Sequence, residues 1–229
     1  MKLLLFLIAL TIGSSAAIGQ SSDPDVRAIG LIDMGAAGGC TGTLIAPDLV
    51  LTAAHCLMPH VDGVPLTVDQ ISFAPSGWDG EPQDAIFGVK ATVHPVFLIP
   101  GLSQLRKISR DIGLLHLESP VPAQDATPLK TAEVLETDTS GFQISFRGPN
   151  SGPARQRNCP YIDAEYELIE LGCDVRAGES GSPILARRDG QIVIVGVVSS
   201  RSHIEAQPIG IAAQISKGIG GLYEADTAH

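Results

Sequence analysis

Apolar residues fall in short runs along this chain, punctuated by glycine, proline and aspartate rather than spaced at a helical period. Such a pattern predicts strands joined by turns. Thr43–Ala46 and Leu49–Thr52 flank the turn pair Pro47-Asp48 and read as a hairpin. Ile86–Val93 and Ile112–Leu117 continue the strand-rich segment that begins near Arg27. A Pro-, Ala- and Thr-rich stretch between Ser119 and Asp138 interrupts the series and reads as a linker. Beyond it come Phe142–Phe146, Tyr166–Leu171, Ser182–Ala186 and Ile192–Ser199, the last apolar almost throughout, as suits a buried strand. The expected organisation is all-β in two halves, barrels or sandwiches, at 27–118 and 138–220. A linker at 119–137 joins them and a C-terminal tail occupies 221–229.

Composition adds to this picture at several points. With 25 glycines and 16 prolines, the chain is rich in turn formers. Lys2, the apolar run Leu3–Ile12 and small residues to Gly19 have the form of a secretory signal peptide at 1–19, cut after Ala17 or Gly19. The run falls short of the ~20 apolar residues that span a bilayer. No later segment reads as a span, so a secreted or periplasmic protein with no membrane span in its mature form is expected. A net charge of −10 opposes nucleic-acid binding, and the basic cluster Arg147, Arg155, Arg157 reads as a solvated loop. Four cysteines, Cys40, Cys56, Cys159 and Cys173, suggest two disulfides, with three pairings open. Pairing of neighbours would close two loops of similar size, each worth roughly 3 kcal/mol. No cysteine or histidine spacing suggests a zinc site.

Three segments carry candidate chemistry. In Leu51-Thr52-Ala53-Ala54-His55-Cys56, the imidazole is anchored if Cys56 is bridged to a preceding strand, and small residues let the backbone pack behind it. A general base needs that rigidity, because proton transfer requires hydrogen-bond reach of ~3 Å. In Gly178-Glu179-Ser180-Gly181-Ser182-Pro183, glycines beside a serine leave backbone N–H groups able to approach a developing oxyanion. One such donor contributes ~3 kcal/mol to a transition state. Asp111 enters the apolar strand Ile112–Leu117, where a buried carboxylate can accept a histidine N–H and fix its tautomer. Singly, each has a bland reading: a disulfide-bonded turn, a Gly/Ser turn, a capping aspartate. Together they run in the order His, Asp, Ser.

That combination resembles the trypsin-like (chymotrypsin-fold) serine peptidases. The resemblance rests on Gly39-Cys40-Thr41-Gly42-Thr43-Leu44-Ile45 leading to Leu51–Cys56, on Asp111–Leu115 and on Gly178–Pro183, and it covers about Arg27 to Ile215. It implies two six-stranded antiparallel β-barrels with the active site in the cleft between them. His55 would be base and acid, Asp111 its orienting carboxylate and Ser180 the nucleophile, with the N–H groups of Gly178 and Ser180 forming an oxyanion hole. A peptide or protein substrate is implied, with no cofactor, no metal and a monomeric state.

The Ser-Gly-Ser-Pro ending is similar to bacterial secreted members, including the V8-like branch, and the segment from Arg155–Cys159 through Cys173–Val175 resembles bacterial trypsin-like peptidases. The 69-residue spacing from Asp111 to Ser180 is shorter than in animal members, which implies trimmed specificity loops. Asp174 stands six residues before Ser180, where trypsins carry the aspartate that selects Arg or Lys. Glu-specific members carry a histidine on the strand occupied here by Val195–Val198, and none is present. Ser199, Ser200 and Arg201 would line the cleft. In trypsins a new N-terminus created by cleavage pairs with the acid preceding the serine. Arg27-Ala28-Ile29-Gly30 partly resembles such a cleavage site, and Glu179 is either that acid or a surface residue. His60, His94, His116, His203 and His229 read as solvated or structural.

Two alternatives compete with the peptidase reading. An α/β-hydrolase esterase is disfavoured, because Gly178–Ser182 lacks the last glycine of GxSxG and the order Ser, acid, His is reversed. A catalytically weak or inactive peptidase-fold binding protein remains, though such proteins usually lose a residue of the trio and this chain retains all three.

Overall fold

The structure is a computed structural model that describes residues 24–76, 83–148, 154–163, 167–204 and 206–228. The expected signal peptide at 1–19 lies outside the described residues. Six strands form the first barrel: β1 (Ile29–Asp33), β2 (Gly39–Ala46), β3 (Leu49–Thr52), β4 (Ser72–Pro75), β5 (Ile86–Val93) and β6 (Gly113–Leu117). They close antiparallel in the order β1-β2-β3-β6-β5-β4, with β4 returning to β1. Pro47-Asp48 makes the predicted turn, setting Leu44 opposite Val50 and Thr43 opposite Leu51.

The second barrel comprises β7 (Ser140–Ser145), β8 (Arg155–Asp163), β9 (Leu168–Leu171), β10 (Pro183–Arg188), β11 (Gln191–Ile204) and β12 (Gln207–Gln214). Its order, β7-β8-β9-β12-β11-β10 with β10 returning to β7, repeats the winding of the first. β11 serves two partners, pairing with β10 along its first half and with β12 along its second. The change of register in the β11–β12 ladder falls between Val198 and Ser200, so Ser199 is the extra residue of a bulge. Bulges re-aim a side chain. Between the barrels, Lys130–Thr131 adds a short strand parallel to Val193-Ile194.

Apolar strand faces fill the interiors. Leu44, Val50, Phe73, Leu114 and Leu115 are fully buried in the first barrel, and the same cluster continues through Ile144, Leu185 and Ile194 of the second. Each such side chain contributes about 1.5–3 kcal/mol on burial. A second cluster, including Ile169, Leu171, Ile184 and Val195, completes the second barrel.

The expected tail at 221–229 differs from the structure. Ile215–Thr227 is a helix, α1, with Leu222 fully buried. Three glycines, Gly218, Gly220 and Gly221, hide it from a propensity reading. Tertiary packing supplies what propensity lacks: Gly218 seats on Ile112, where a Cβ would lie 2.4 Å from that side chain. Asp226 then accepts from Thr92 of β5 at 2.6 Å and from His116 of β6 at 2.9 Å. Lys90 of β5 adds an ion pair at 3.2 Å. The helix thus straps the end of the second barrel to the first. Among the described residues, no helix is long and apolar enough to cross a membrane.

Candidate active site

β3 and β6 are ladder neighbours, with Thr52 opposite Gly113. The chain leaves β3 into a single 3-10 turn, Ala54–Leu57, that carries His55, and it enters β6 just after Asp111. Paired strand ends therefore bring the two side chains together. Cys56 is bridged to Cys40 on β2, and Ala53 and Ala54 are fully buried behind the turn. Asp111, 3% exposed, accepts the His55 backbone N–H on Oδ1 at 2.9 Å. Its Oδ2 lies 2.7 Å from His55 Nδ1. An ionised carboxylate can only accept, so Nδ1 carries the proton and Nε2 is left as the acceptor.

Burial opposes charging of the His55 imidazole. The hydrogen bond and negative charge of Asp111 together outweigh it, so the pKa is raised above its ordinary 6.5.

Ser180 is held by its backbone at the seam between the barrels. Its carbonyl accepts the Thr41 N–H of β2 at 2.8 Å, and the next residue, Gly181, donates to Val198 of β11 at 2.8 Å. Gly181 has φ +79°, and a Cβ there would sit 2.2 Å from both Thr41 O and Thr52 Oγ1. Only glycine fits, and the nucleophile candidate is thereby packed against the strand that leads into His55. Within the turn, Glu179 donates to Arg176 O at 3.0 Å and Ser182 to Glu179 O at 3.2 Å. Among the described residues, the N–H groups of Gly178 and Ser180 donate to no protein acceptor. Amides without a protein acceptor on either side of Glu179 are the kind of donor an anion-receiving nest requires.

The other expected residues divide by environment. Ser199, read as cleft lining, is turned by the β11 bulge so that its hydroxyl donates to Asp111 Oδ2 at 2.5 Å. Alternation along a strand could not reveal this. Asp174 pairs with Arg176 at 3.2 Å and its side chain is 35% exposed, so it is not the dry, unpaired carboxylate that would most reward a cationic ligand. The Ser200 hydroxyl is buried without a partner among the described residues, and Arg201 is exposed. The cysteines pair as neighbours, Cys40 with Cys56 and Cys159 with Cys173. Both sulfurs near His55 are consumed by the first bridge, so the Cys40–His55–Cys56 group, within 4.8 Å, offers no thiolate to a metal. His60 and His203 are exposed and His94 is buried, while His229 lies outside the described residues.

Two features escaped the sequence. Glu179, left open between an activation partner and a surface residue, is 1% exposed. Arg147 and Arg157, read as part of a solvated loop, both bind it. The available signal was physical: a buried acid beside a nucleophile needs a cation, and these were nearby candidates.

A family model described as Trypsin matches residues 19–218. The CLIP domain-containing serine protease B10 of Anopheles gambiae is 29% identical over 185 residues, covering 65% of this chain and 51% of that protein. Serine protease 23 of Mus musculus is 29% identical over 196 residues, covering 73% and 50%. Its Bos taurus counterpart is 28% identical over 212 residues, covering 78% and 54%. The chain spans about half the length of the curated relatives it matches. Twin barrels of one winding and a match over most of the sequence lead to the same place: this chain belongs to the trypsin-like serine protease family.

Proposed function

We propose that the chain is a serine endopeptidase acting through His55, Asp111 and Ser180. His55 Nε2 takes the proton from Ser180 Oγ as that oxygen attacks the scissile carbonyl. The Gly178 and Ser180 N–H groups receive the oxyanion of the tetrahedral intermediate. His55 returns the proton to the leaving amine, and an acyl-enzyme forms. Water, deprotonated by the same imidazole, then releases the acid and restores the serine. Asp111 stays ionised throughout, holding the imidazole in one tautomer and stabilising the imidazolium. The observation that carries this reading is the His55 Nδ1–Asp111 Oδ2 contact of 2.7 Å with the carboxylate buried.

The finer assignments belong to the same proposal. Two disulfides fit an oxidising compartment, which supports export with 1–19 as its signal. The Ser180-Gly181-Ser182-Pro183 ending supports a bacterial secreted, V8-like branch, while the relatives matched are animal proteins. The residues from 27 to 118 and from 138 to 220 would be the two barrel domains.

A fluorophosphonate probe followed by peptide mapping tests the mechanism. Stoichiometric modification of Ser180, abolished in His55→Ala, together with cleavage of a peptide library, is expected. Undiminished hydrolysis by Ser180→Ala would overturn it.

A further inference from the structure

The carboxylate of Glu179 is fully enclosed, and both its oxygens are already satisfied from within the chain. Oε1 accepts Arg147 Nε at 3.0 Å, while Oε2 accepts Arg157 Nη2 at 2.5 Å and the Arg176 N–H at 3.1 Å. Both arginine side chains are about a quarter exposed, at 26% and 27%, while the carboxylate they meet is closed to solvent. Arg157 does more than neutralise. Its Nε donates to Gln143 Oε1 at 2.9 Å, and its Nη1 donates to the Asp174 carbonyl. Two residues along the same strand, Cys159 is bridged to Cys173. β8 therefore grips the 173–179 segment at a disulfide, a carbonyl and a carboxylate.

Arg147 acts through backbone as well as side chain. Gly178, at φ +87°, rests on it so closely that a Cβ would lie 2.4 Å from the Arg147 carbonyl carbon. Glu179 sits between the two residues whose N–H groups are unspent, so holding its side chain fixes the direction of both amides.

The other candidate cation is the segment Arg27–Gly30. Ile29 there is fully buried, lies opposite Thr43 in the β1–β2 ladder, and accepts the Ser76 N–H at 3.1 Å. Freeing it as an N-terminus would break the first strand of the barrel.

We infer that Arg147 and Arg157 are positioning residues that lock the Gly178–Ser180 segment in its anion-receiving shape by neutralising Glu179, so that the chain is competent without a cleavage-generated N-terminus. The inference rests on the proposed peptidase reading for its catalytic consequence, while the lock itself is a property of the fold. A buried charge stripped of a partner is strongly destabilising, so the segment rearranges when either arginine is lost. Misplacement of a reacting group by about 1 Å costs on the order of 100-fold.

The test uses the full chain behind an acetylated N-terminal tag, so that no native N-terminus is free. Steady-state kinetics and amide hydrogen exchange of peptides covering 174–182 are measured for wild type, Arg157→Ala, Arg147→Ala and Arg157→Lys. Arg188→Ala, which removes an arginine paired with Asp138 elsewhere in the second barrel, is the control. The tagged wild type is expected to hydrolyse peptide without processing. Arg157→Ala is expected to lose about 100-fold in kcat with KM within about threefold, to exchange faster over 174–182, and to recover part of its rate with added guanidinium. Arg157→Lys is expected to fall between, and Arg188→Ala to match wild type. If Arg157→Ala fails to fold, Arg147→Ala and Arg157→Lys carry the comparison.

Exchange and kcat unchanged in both alanine variants would overturn the lock, as would activity that appears only after a cleavage exposes a new N-terminus. A wild type that neither hydrolyses peptide nor reacts with the fluorophosphonate, with or without cleavage, sinks the peptidase reading instead. The exchange comparison still decides the lock in that case.

Discussion

Replacing Ser199 with alanine separates two roles for that hydroxyl by their different signatures. In the structure it donates to Asp111 Oδ2 at 2.5 Å, alongside the two bonds from His55. Asp111 is 3% exposed, so bulk water does not replace the lost donor. A hydrogen bond to a charged group contributes about 1.5–3 kcal/mol. For a chain of this size each kcal/mol shifts Tm by about 2–4 °C, which gives a fall of about 3–12 °C. Catalysis should suffer less. Oδ1 still holds the His55 amide and Oδ2 still faces Nδ1, so the imidazole keeps its tautomer and orientation. The expected loss in kcat/KM is below about tenfold, or about 1.4 kcal/mol. Urea unfolding and calorimetry measure the first quantity, and initial rates on a peptide amide measure the second. A double-mutant cycle with Asp111→Asn should return a coupling of about 0.5–3 kcal/mol. If stability is unchanged while kcat/KM falls more than about 100-fold, the hydroxyl works on substrate and not on Asp111, and the reasoning from the bulge is wrong.

The raised pKa of His55 places the acid limb of kcat/KM above pH 6.5, because the base must be neutral. Asp111→Asn removes the carboxylate charge that offsets burial, so the limb, or the imidazole titration followed by NMR, should move down; no movement would contradict the assignment. By linkage, a raised folded pKa means that the charged pair stabilises the fold fully below pH 6.5 and that this contribution fades as pH rises through the folded value. Gly181→Ala forces a Cβ to within 2.2 Å of Thr41 O at φ +79°, so Ser180 labelling should disappear. Strain at such a backbone costs about 1–3 kcal/mol before any collision, and normal labelling with wild-type stability would refute the packing. For Asp226, burial opposes ionisation, but bonds from Thr92, His116 and Lys90 prevail and hold its carboxyl below the ordinary 3.8. Its contribution is therefore present above that pH and lost as pH falls through the folded value. Asp226→Asn should cost about 1–3 kcal/mol near neutrality and little at pH ~2, and an equal cost at both would show that the strap is not electrostatic.

The hairpin around Pro47-Asp48 was readable from local pattern, since the turn chemistry and both flanking strands lie within ten residues of one another. β11 was readable as a buried strand, yet its length and its bulge were not, because both depend on β10 and β12. The C-terminal helix α1 is not legible for the same kind of reason: Gly218 and Gly221 make sense only against Ile112 and His94 of the other barrel. The reading of Arg147 and Arg157 as solvated was wrong because solvation depends on neighbours that the chain supplies 22 or more residues away.

Sequence by itself determined the alternation that makes strands, the two-half organisation and the identity and order of the side chains at the candidate site. These are local properties, carried by turn residues, apolar runs and contiguous motifs. Only the tertiary structure decided which groups answer which charge: Ser199 to Asp111, two arginines to Glu179, and a C-terminal aspartate to β5 and β6. Electrostatic pairing depends on distance in space and on exclusion of water, and neither exists until the barrels close.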